Sequence, residues 1–151
     1  MFKIAHIADT HIRNLKYHRE YKIIFNDLYR KLEKEKPDYI VHCGDIAHTK
    51  TQLSPEYFAL ASDFLSRLSA IAPLIVILGN HGNLKNENRE DAITPIVRAL
   101  DNSRITLLKD SGEYTPESGL TFNVLSVFDR DNWVKPCSPS SINVALYHGS
   151  I

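Results

Sequence analysis

The hydrophobic residues form short apolar runs that alternate with longer segments of helical spacing. Apolar runs at 2–8, 38–43 and 74–78 have the length of β-strands. Polar residues follow the first run directly and follow the other two after a single glycine. The run at 38–43 is apolar on both sides of the pleat, which predicts a central strand of a parallel sheet covered by helices on both faces. Gly44 would let the backbone turn there and would place Asp45 at the carboxyl edge of the sheet.

The segments between these runs predict three helices. The first spans about 17–36 and ends at Pro37. The second begins at Ser54 as N-cap, with Pro55 in the first turn, and ends before Pro73. A shorter one is predicted at 94–100, opened by Thr94 and Pro95. The predicted buried stripes are Tyr21, Ile24, Leu28 and Leu32 on the first helix, and Tyr57, Ala61, Phe64, Leu65 and Leu68 on the second.

Strands dominate the remainder of the chain. Apolar runs at 105–108, 121–127 and 142–147 predict strands joined by turn-rich segments, and the last of them leads to His148 and Gly149. The predicted order is therefore βαβαβα followed by further strands, with parallel pairing and right-handed crossovers in the first part. A length of 151 residues favours one α/β domain spanning 1–151.

Composition and charge narrow the classes of function. The formal net charge is zero, so no overall field attracts the protein to nucleic acid or to anionic membranes, and a polyanionic substrate would need local groups or metal ions. The two cysteines, Cys43 and Cys137, do not suggest a disulfide framework. The sequence shows neither a signal peptide nor an apolar run near the ~20 residues of a membrane span. We expect a soluble, cytoplasmic domain without a membrane partner.

Four of the predicted strands are followed by side chains of the types that bind metal ions, namely aspartate, histidine and asparagine. These residues are Asp9, His11, Asp45, Asn80, His81 and His148. Carboxylate oxygen and imidazole nitrogen together suit divalent ions such as manganese, zinc or iron. Asp45 could bridge two cations about 3.5–4 Å apart, with Asp9 and His11 on one ion and Asn80 and His148 on the other.

The motifs Asp9-x-His11, Gly44-Asp45-x-x-His48, Gly79-Asn80-His81 and His148-Gly149, in this order, resemble the calcineurin-like metallophosphoesterase superfamily. Within it they are most similar to the nuclease subunit of SbcCD-type DNA repair complexes and to its phage recombination-endonuclease relatives. The resemblance implies an α/β sandwich with its site at the carboxyl ends of the strands. It also implies two divalent metal ions, typically Mn²⁺, and hydrolysis of a phosphodiester by activated water.

The resemblance assigns roles to residues that chemistry alone leaves open. It implies that His81 is not a ligand but orients or protonates the scissile phosphate, and that His48 lies near the substrate strand. The competing interpretation of His48 is an ordinary surface histidine. DNA, an SbcC-type ATPase subunit and a second copy of the chain are the partners that the family implies.

Two departures from the family pattern are evident. Gly82 follows His81 where the family has an acidic residue, and no Gly-His-x-His motif follows before Ile151. The resemblance thus covers the N-terminal portion of the family's domain, and we expect a domain incomplete at its C-terminus with weakened metal binding and impaired activity. Two alternatives remain open: a phosphodiesterase or phosphatase for small substrates, and a non-catalytic fragment that binds DNA or an ATPase.

Several other residues have structural interpretations. His6 and His42 lie within strands and are predicted to be core or hydrogen-bonded histidines, and Cys43 a small core residue. Trp133 is predicted to anchor local packing. A basic cluster after the first strand favours a solvated helix face, with contact to a DNA backbone as the alternative. Its members are Arg13, Lys16, His18, Arg19 and Lys22.

Overall fold

The computed structural model describes residues 1–81, 90–136 and 140–149. The strands are β1 (Ile4–Ile7), β2 (Tyr39–Cys43), β3 (Leu74–Ile77), β4 (Ile105–Leu108), β5 (Gly112–Glu117), β6 (Leu120–Leu125) and β7 (Ile142–Tyr147). The helices are α1 (His18–Glu35), α2 (Pro55–Ile71) and α3 (Thr94–Leu100), with a 3₁₀ turn at Arg130–Asn132. Gly82 and Cys137 lie outside the described residues.

The first half of the chain forms the predicted parallel sheet. Its four strands are ordered β1-β2-β3-β4, and every neighbouring pair is parallel. All five residues of β2 are buried, which agrees with a central strand flanked by two others. Strand β4, which follows α3, pairs with β3 in parallel and is the fourth strand of this sheet. The alternation of strands and helices predicted for the first part of the chain therefore includes one more strand.

A second sheet covers one face of the first, so the prediction of helices on both faces is wrong. Tyr39, Val41 and Cys43 of β2 pack against Leu120 and Phe122 of β6. The opposite face of the parallel sheet packs against the three helices. The run at 38–43 correctly predicted a strand that is buried on both faces. It did not predict what buries each face, because a helix and a second sheet can both pack on an apolar strand.

The second sheet has three strands in the order β5-β6-β7, antiparallel between β5 and β6 and parallel between β6 and β7. Strand β5 was missed and treated as part of a turn-rich segment. It alternates half-buried and exposed residues and contains Pro116, which an edge strand tolerates. Trp133 packs locally as predicted: its ring nitrogen donates to the Ser126 carbonyl at 2.7 Å, and its ring meets Tyr147 edge-on.

Helices α1 and α2 cover the parallel sheet close to where they were predicted. Every residue of the predicted apolar face of α2 is buried, and its N-cap Ser54 accepts a hydrogen bond from the Tyr57 amide at 3.2 Å. On α1 the predicted stripe is wrong at Ile24, which is 61% exposed. The buried residues are Phe25, Tyr29 and Leu32, and Phe25 stacks on Phe64 with ring centroids 4.2 Å apart.

The start of α3 is capped by Asp91, a residue whose role the sequence did not reveal. Its buried carboxylate accepts hydrogen bonds from the Ile93 and Thr94 amides and from the Thr94 hydroxyl, and the Lys109 ammonium lies 3.1 Å away. Burial alone would raise the pKa of Asp91, but these hydrogen bonds outweigh it and hold the pKa below its usual range. Asp91 therefore ties α3 to the end of β4 as an anion.

We expect Asp91→Ala to lower the free energy of unfolding by about 2–3 kcal/mol, because it leaves two helix N–H groups and an ammonium without their acceptor. Since folding depresses this pKa, the contribution is present above the unfolded value near pH 4 and is lost as pH falls through the folded value. Urea unfolding at pH 7 measures the loss, with the exposed Asp110→Ala as control. Equal stability of the two variants would contradict the assignment.

Within the described residues, no helix combines the length and apolar character needed to cross a bilayer.

Candidate metal centre

The loops after β1 and β2 continue to pair beyond the ends of the strands. The amides of Asp9, His11 and Ile12 donate to the carbonyls of Gly44, Asp45 and Ile46 at 3.2, 2.9 and 2.7 Å. An isolated parallel bridge joins Ile12 to Ala47. These bonds hold the two loops side by side and bring the predicted ligands of β1 next to Asp45.

Three of the predicted ligands adopt the left-handed backbone conformation that ordinary residues avoid. Asp9, His11 and Asp45 have φ values of 56°, 45° and 54°. Such conformations persist only where the surrounding contacts hold them, and they cluster at functional sites. The loop pairing is one such contact, and the Tyr21 hydroxyl of α1 adds another by donating to the His11 carbonyl at 2.6 Å.

Two glycines allow the three strand ends to approach each other. A Cβ on Gly79 would collide with Oδ1 of Asp45 and lie 2.8 Å from its Cγ. A Cβ on Gly44 would lie 2.7 Å from Nδ1 of His148 and 2.8 Å from the Gly79 Cα. The glycine before Asn80 and His81 is therefore required by the closeness of the Asp45 carboxylate, a reason that the motif itself did not reveal.

Asp45 lies at the centre of the cluster and is only 4% exposed. Its Oδ2 is 3.7 Å from Nε2 of His11 and 3.2 Å from Nε2 of His148, while Asp9 Oδ1 is 3.4 Å from the same His11 nitrogen. Ligand atoms of Asp9, Asp45 and His148 all lie within 4.8 Å of one another. The structure thus unites residues from β1, β2 and β7, two of which belong to one sheet and one to the other.

The orientation of His148 shows why this cluster suits a cation. Its Nδ1 lies 2.7 Å from the Cys43 carbonyl, and since a carbonyl can only accept, Nδ1 carries the proton. In the neutral ring, Nε2 then turns its lone pair toward the Asp45 carboxylate. Two acceptors at this distance are stabilised by a shared cation or by a second proton on the ring.

The observed spacings fit a shared divalent ion. Ligand atoms at about 2.1 Å from one ion lie roughly 3.0–3.4 Å apart in octahedral or tetrahedral geometry. The pair His148–Asp45 at 3.2 Å and the pair His11–Asp9 at 3.4 Å fall within or at the edge of this window. Donor types and distances therefore agree with one or two divalent ions held by these four side chains.

His81 and His48 border the carboxylates on the side of the loop after β3. The His81 amide donates to Asp45 Oδ1 at 2.8 Å, and its Nδ1 donates to the His48 carbonyl at 3.1 Å. The remaining ring nitrogen of His81, Nε2, is thereby the one available to exchange a proton. Partial burial lowers the pKa of His48, assisted by Arg13, His11 and His81, so its ring favours the neutral form.

Asn80 and His6 complete the cleft. It has a volume of about 490 Å³ and is lined by the predicted residues Asp9, His11, Asp45, Asn80, His81 and His148, together with His6, Ala8, Cys43, Tyr147 and Gly149. Asn80 is exposed on its wall. The predicted core position of His6 is wrong, because its side chain is exposed, although its neighbours Ile4 and Ala8 pack against the cluster shared with the second sheet. Cys43 is buried as predicted.

His42 is buried completely, as predicted, and supports the loop that carries two of the predicted ligands. Its Nε2 lies 3.3 Å from the hydroxyl of Thr10, between Asp9 and His11, and its ring meets Phe64 edge-on. Burial lowers the pKa of His42 to about 3, with smaller effects from His6 and His148. The ring is therefore neutral in the folded protein at physiological pH.

We expect His42 to make the fold sensitive to acid. The unfolded state binds a proton near pH 6.5 and the folded state only near 3, so the stabilisation is intact above pH 6.5 and declines as pH falls. The loss from this group is about 2 kcal/mol between pH 6.5 and 4.5. Denaturant unfolding across this range should show a shallower slope for His42→Gln than for the wild type. Parallel slopes would contradict a neutral, buried His42.

Two contributors to the site were not recognised from sequence. Tyr21 was placed on the buried stripe of α1, but its hydroxyl bonds to the His11 backbone, and Thr10 links the same loop to His42. A tyrosine at the sheet-proximal start of a helix is a weak signal for such a contact, since only the fold shows which backbone group it reaches.

The comparisons with known proteins identify the family of this chain. The calcineurin-like phosphoesterase family model matches residues 2–150. Uncharacterized protein R555 of Acanthamoeba polyphaga mimivirus is 40% identical over 163 residues, which include 98% of this chain and only 12% of that protein. The chain thus spans a small part of this relative's length.

The fold has a counterpart among solved structures. The crystal structure of the Pseudomonas putida nuclease MPE superposes with a TM-score of 0.51 at 20% identity, covering 80% of this chain and 52% of that one. At this level of identity the match shows a common fold. Because the family model spans nearly the whole chain, the protein belongs to the calcineurin-like phosphoesterase family.

Proposed function

We propose that this domain is a metal-dependent nuclease that hydrolyses phosphodiester bonds in DNA. The observation that carries the proposal is the convergence of Asp9, Asp45 and His148 within 4.8 Å in one open cleft, which His81 also lines. His48 lies next to His81, with the ring centroids 5.9 Å apart. Family membership supports phosphoester hydrolysis as the reaction class. The fold shared with a nuclease and the motif order, which resembles SbcD-type enzymes, favour a nucleic acid as substrate.

The proposed ligands divide between two divalent ions, with Mn²⁺ as the expected metal. Asp9 and His11 would hold one ion, Asn80 and His148 would hold the other, and Asp45 would be the ligand shared by both. When bound, such ions would polarise the phosphoryl group and lower the pKa of a coordinated water molecule toward neutrality. Cys43 contributes through its carbonyl, which fixes the His148 tautomer so that Nε2 faces Asp45.

His81 is proposed to act on the phosphate directly. Its amide is anchored to Asp45 and its Nδ1 to the His48 carbonyl, so the ring is oriented from two sides. Nε2, the nitrogen left available, accepts a proton in the neutral ring and, once the ring is doubly protonated, would donate it to a phosphate oxygen or leaving group. His48, on the adjacent loop, is proposed to contact the substrate strand.

The larger assembly also follows the resemblance. We infer an SbcC-type ATPase and a second copy of the chain as partners, and a role in DNA recombination and repair. These inferences rest on the order and spacing of the motifs.

Cleavage assays with Mn²⁺ on single-stranded and duplex DNA test the proposal, compared with bis-p-nitrophenyl phosphate and p-nitrophenyl phosphate. Preferential hydrolysis of DNA, lost in His81→Ala, is the expected result. Efficient hydrolysis of only the small esters would instead identify a small-substrate phosphoesterase. DNA binding without hydrolysis of any substrate would identify a non-catalytic module.

A further inference from the structure

Three histidines form a cluster of their own beside the carboxylates, and two of them, His11 and His81, line the cleft. One imidazole nitrogen from each of His11, His48 and His81 lies within 4.8 Å of the other two. The ring centroids are 4.8 Å apart for His11 and His81, 5.6 Å for His11 and His48, and 5.9 Å for His48 and His81. His11 also contacts the carboxylates Asp9 and Asp45, whereas His48 and His81 are not among the proposed ligands of that set.

The spacing of the rings is that of a three-imidazole metal site. A tetrahedral ion with metal–nitrogen distances of about 2.0–2.1 Å places the centroids of its imidazole ligands roughly 5 Å apart. The three observed separations scatter around that value. Small side-chain rotations, without displacement of the backbone, would bring the nitrogens to bonding distance.

The backbone of each histidine is already held in place. The His11 amide donates to the Asp45 carbonyl, the His48 amide to the Ile12 carbonyl at 3.1 Å, and the His81 amide to Asp45 Oδ1. The cluster is therefore preorganised by the same loop pairing that builds the carboxylate site.

Two ring nitrogens of the cluster have no hydrogen-bond partner in the part of the chain that the structure describes and could bind a ligand. The Nδ1 atoms of His11 and His48 are buried and have no hydrogen-bond partner among the described residues. Buried polar groups are normally satisfied, so two such nitrogens on neighbouring rings of one cluster require an explanation. A bound cation provides it for both.

We propose that His11, His48 and His81 form a second cation site, selective for zinc and similar borderline ions, which lies beside the carboxylate set and shares His11 with it. Three neutral imidazoles suit Zn²⁺, whereas the oxygen-rich set around Asp45 suits Mn²⁺. Occupancy by Zn²⁺ would engage His81 and block its contact with phosphate. Zinc would then inhibit the hydrolysis driven by manganese, a consequence that rests on the proposed function.

Zinc binding itself is tested without reference to activity. The measurements are calorimetric titration with Zn²⁺ and the visible spectrum of bound Co²⁺, whose intense bands report tetrahedral ligation. The variants are His48→Ala, which removes one imidazole, and Asp9→Asn, which removes one carboxylate. His18→Ala is the matched control, because His18 lies outside the cleft and bonds to the Arg13 carbonyl.

The expected result is a crossed pattern. His48→Ala weakens the tightest Zn²⁺ site by at least about tenfold and abolishes the tetrahedral Co²⁺ spectrum. Asp9→Asn and His18→Ala leave both nearly unchanged. The proposal is overturned if His48→Ala binds Zn²⁺ like the wild type, or if Asp9→Asn alone weakens it, since zinc would then occupy the carboxylate set. Failure of DNA cleavage would leave this binding pattern intact and would refute only the proposed function.

Discussion

Replacement of Asp45 by asparagine is expected to reduce Mn²⁺-dependent phosphodiester hydrolysis by at least about a hundredfold. The substitution keeps the shape of the side chain but removes the buried anion that faces His11 and His148 and accepts the His81 amide. Each proposed ion would lose its shared ligand, and the spacing between the ions would no longer be fixed. Initial rates at saturating Mn²⁺ measure the effect.

Asp101→Asn provides the matched control for this substitution. Asp101 also has a left-handed backbone, with φ of 43°, but it is exposed at the end of α3, away from the cleft. We expect its activity to equal that of the wild type. Comparable activity of Asp45→Asn and the control, with both variants folded by circular dichroism, would exclude Asp45 as the central ligand.

Gly79→Ala is expected to have the second large effect, although the change adds a single methyl group. The new Cβ would collide with the Asp45 carboxylate, so either the loop after β3 or Asp45 must move. Overpacking of this kind costs about 1–3 kcal/mol of stability. Because the crowded group is Asp45, the proposed shared ligand, we also expect Mn²⁺ affinity to fall by at least about tenfold.

Gly119→Ala is the control that distinguishes steric crowding at the site from the backbone strain of replacing a glycine. Gly119 has a φ of 90°, so alanine is strained there, but no atom lies within 4 Å of the position that its methyl group would take. It should lose about 1 kcal/mol of stability and keep its Mn²⁺ affinity. Calorimetric titration and thermal unfolding of both variants give the comparison. Normal metal binding by Gly79→Ala would mean that the close packing of Gly79 on Asp45 is not needed.

The sequence predicted the strand ends well because two local signals coincide there. A short apolar run followed by Gly44 and Asp45 specifies both a buried strand and its sharp termination. The same logic applied to Asp9 and His148, and the structure brings both close to Asp45. The parallel pairing of β1 with β2 followed from the helix between them.

The remaining features depend on tertiary contacts that no local pattern contains. Ile24 and Phe25 are adjacent apolar residues on α1, and only the position of Phe64 decides that Phe25 is buried. His148 reaches the site from the second sheet, whose position over β2 cannot be deduced from strand spacing. The alternation in β5 was obscured by its charged residues and Pro116.

The number of Mn²⁺ ions bound by the wild-type protein tests the central claim most directly. Calorimetric titration combined with electron paramagnetic resonance at low temperature would count the ions and reveal whether they are magnetically coupled. We predict two ions with the coupled spectrum of a bridged pair, and loss of that spectrum in Asp45→Asn. A single uncoupled ion, or none, would contradict a dinuclear centre built around Asp45.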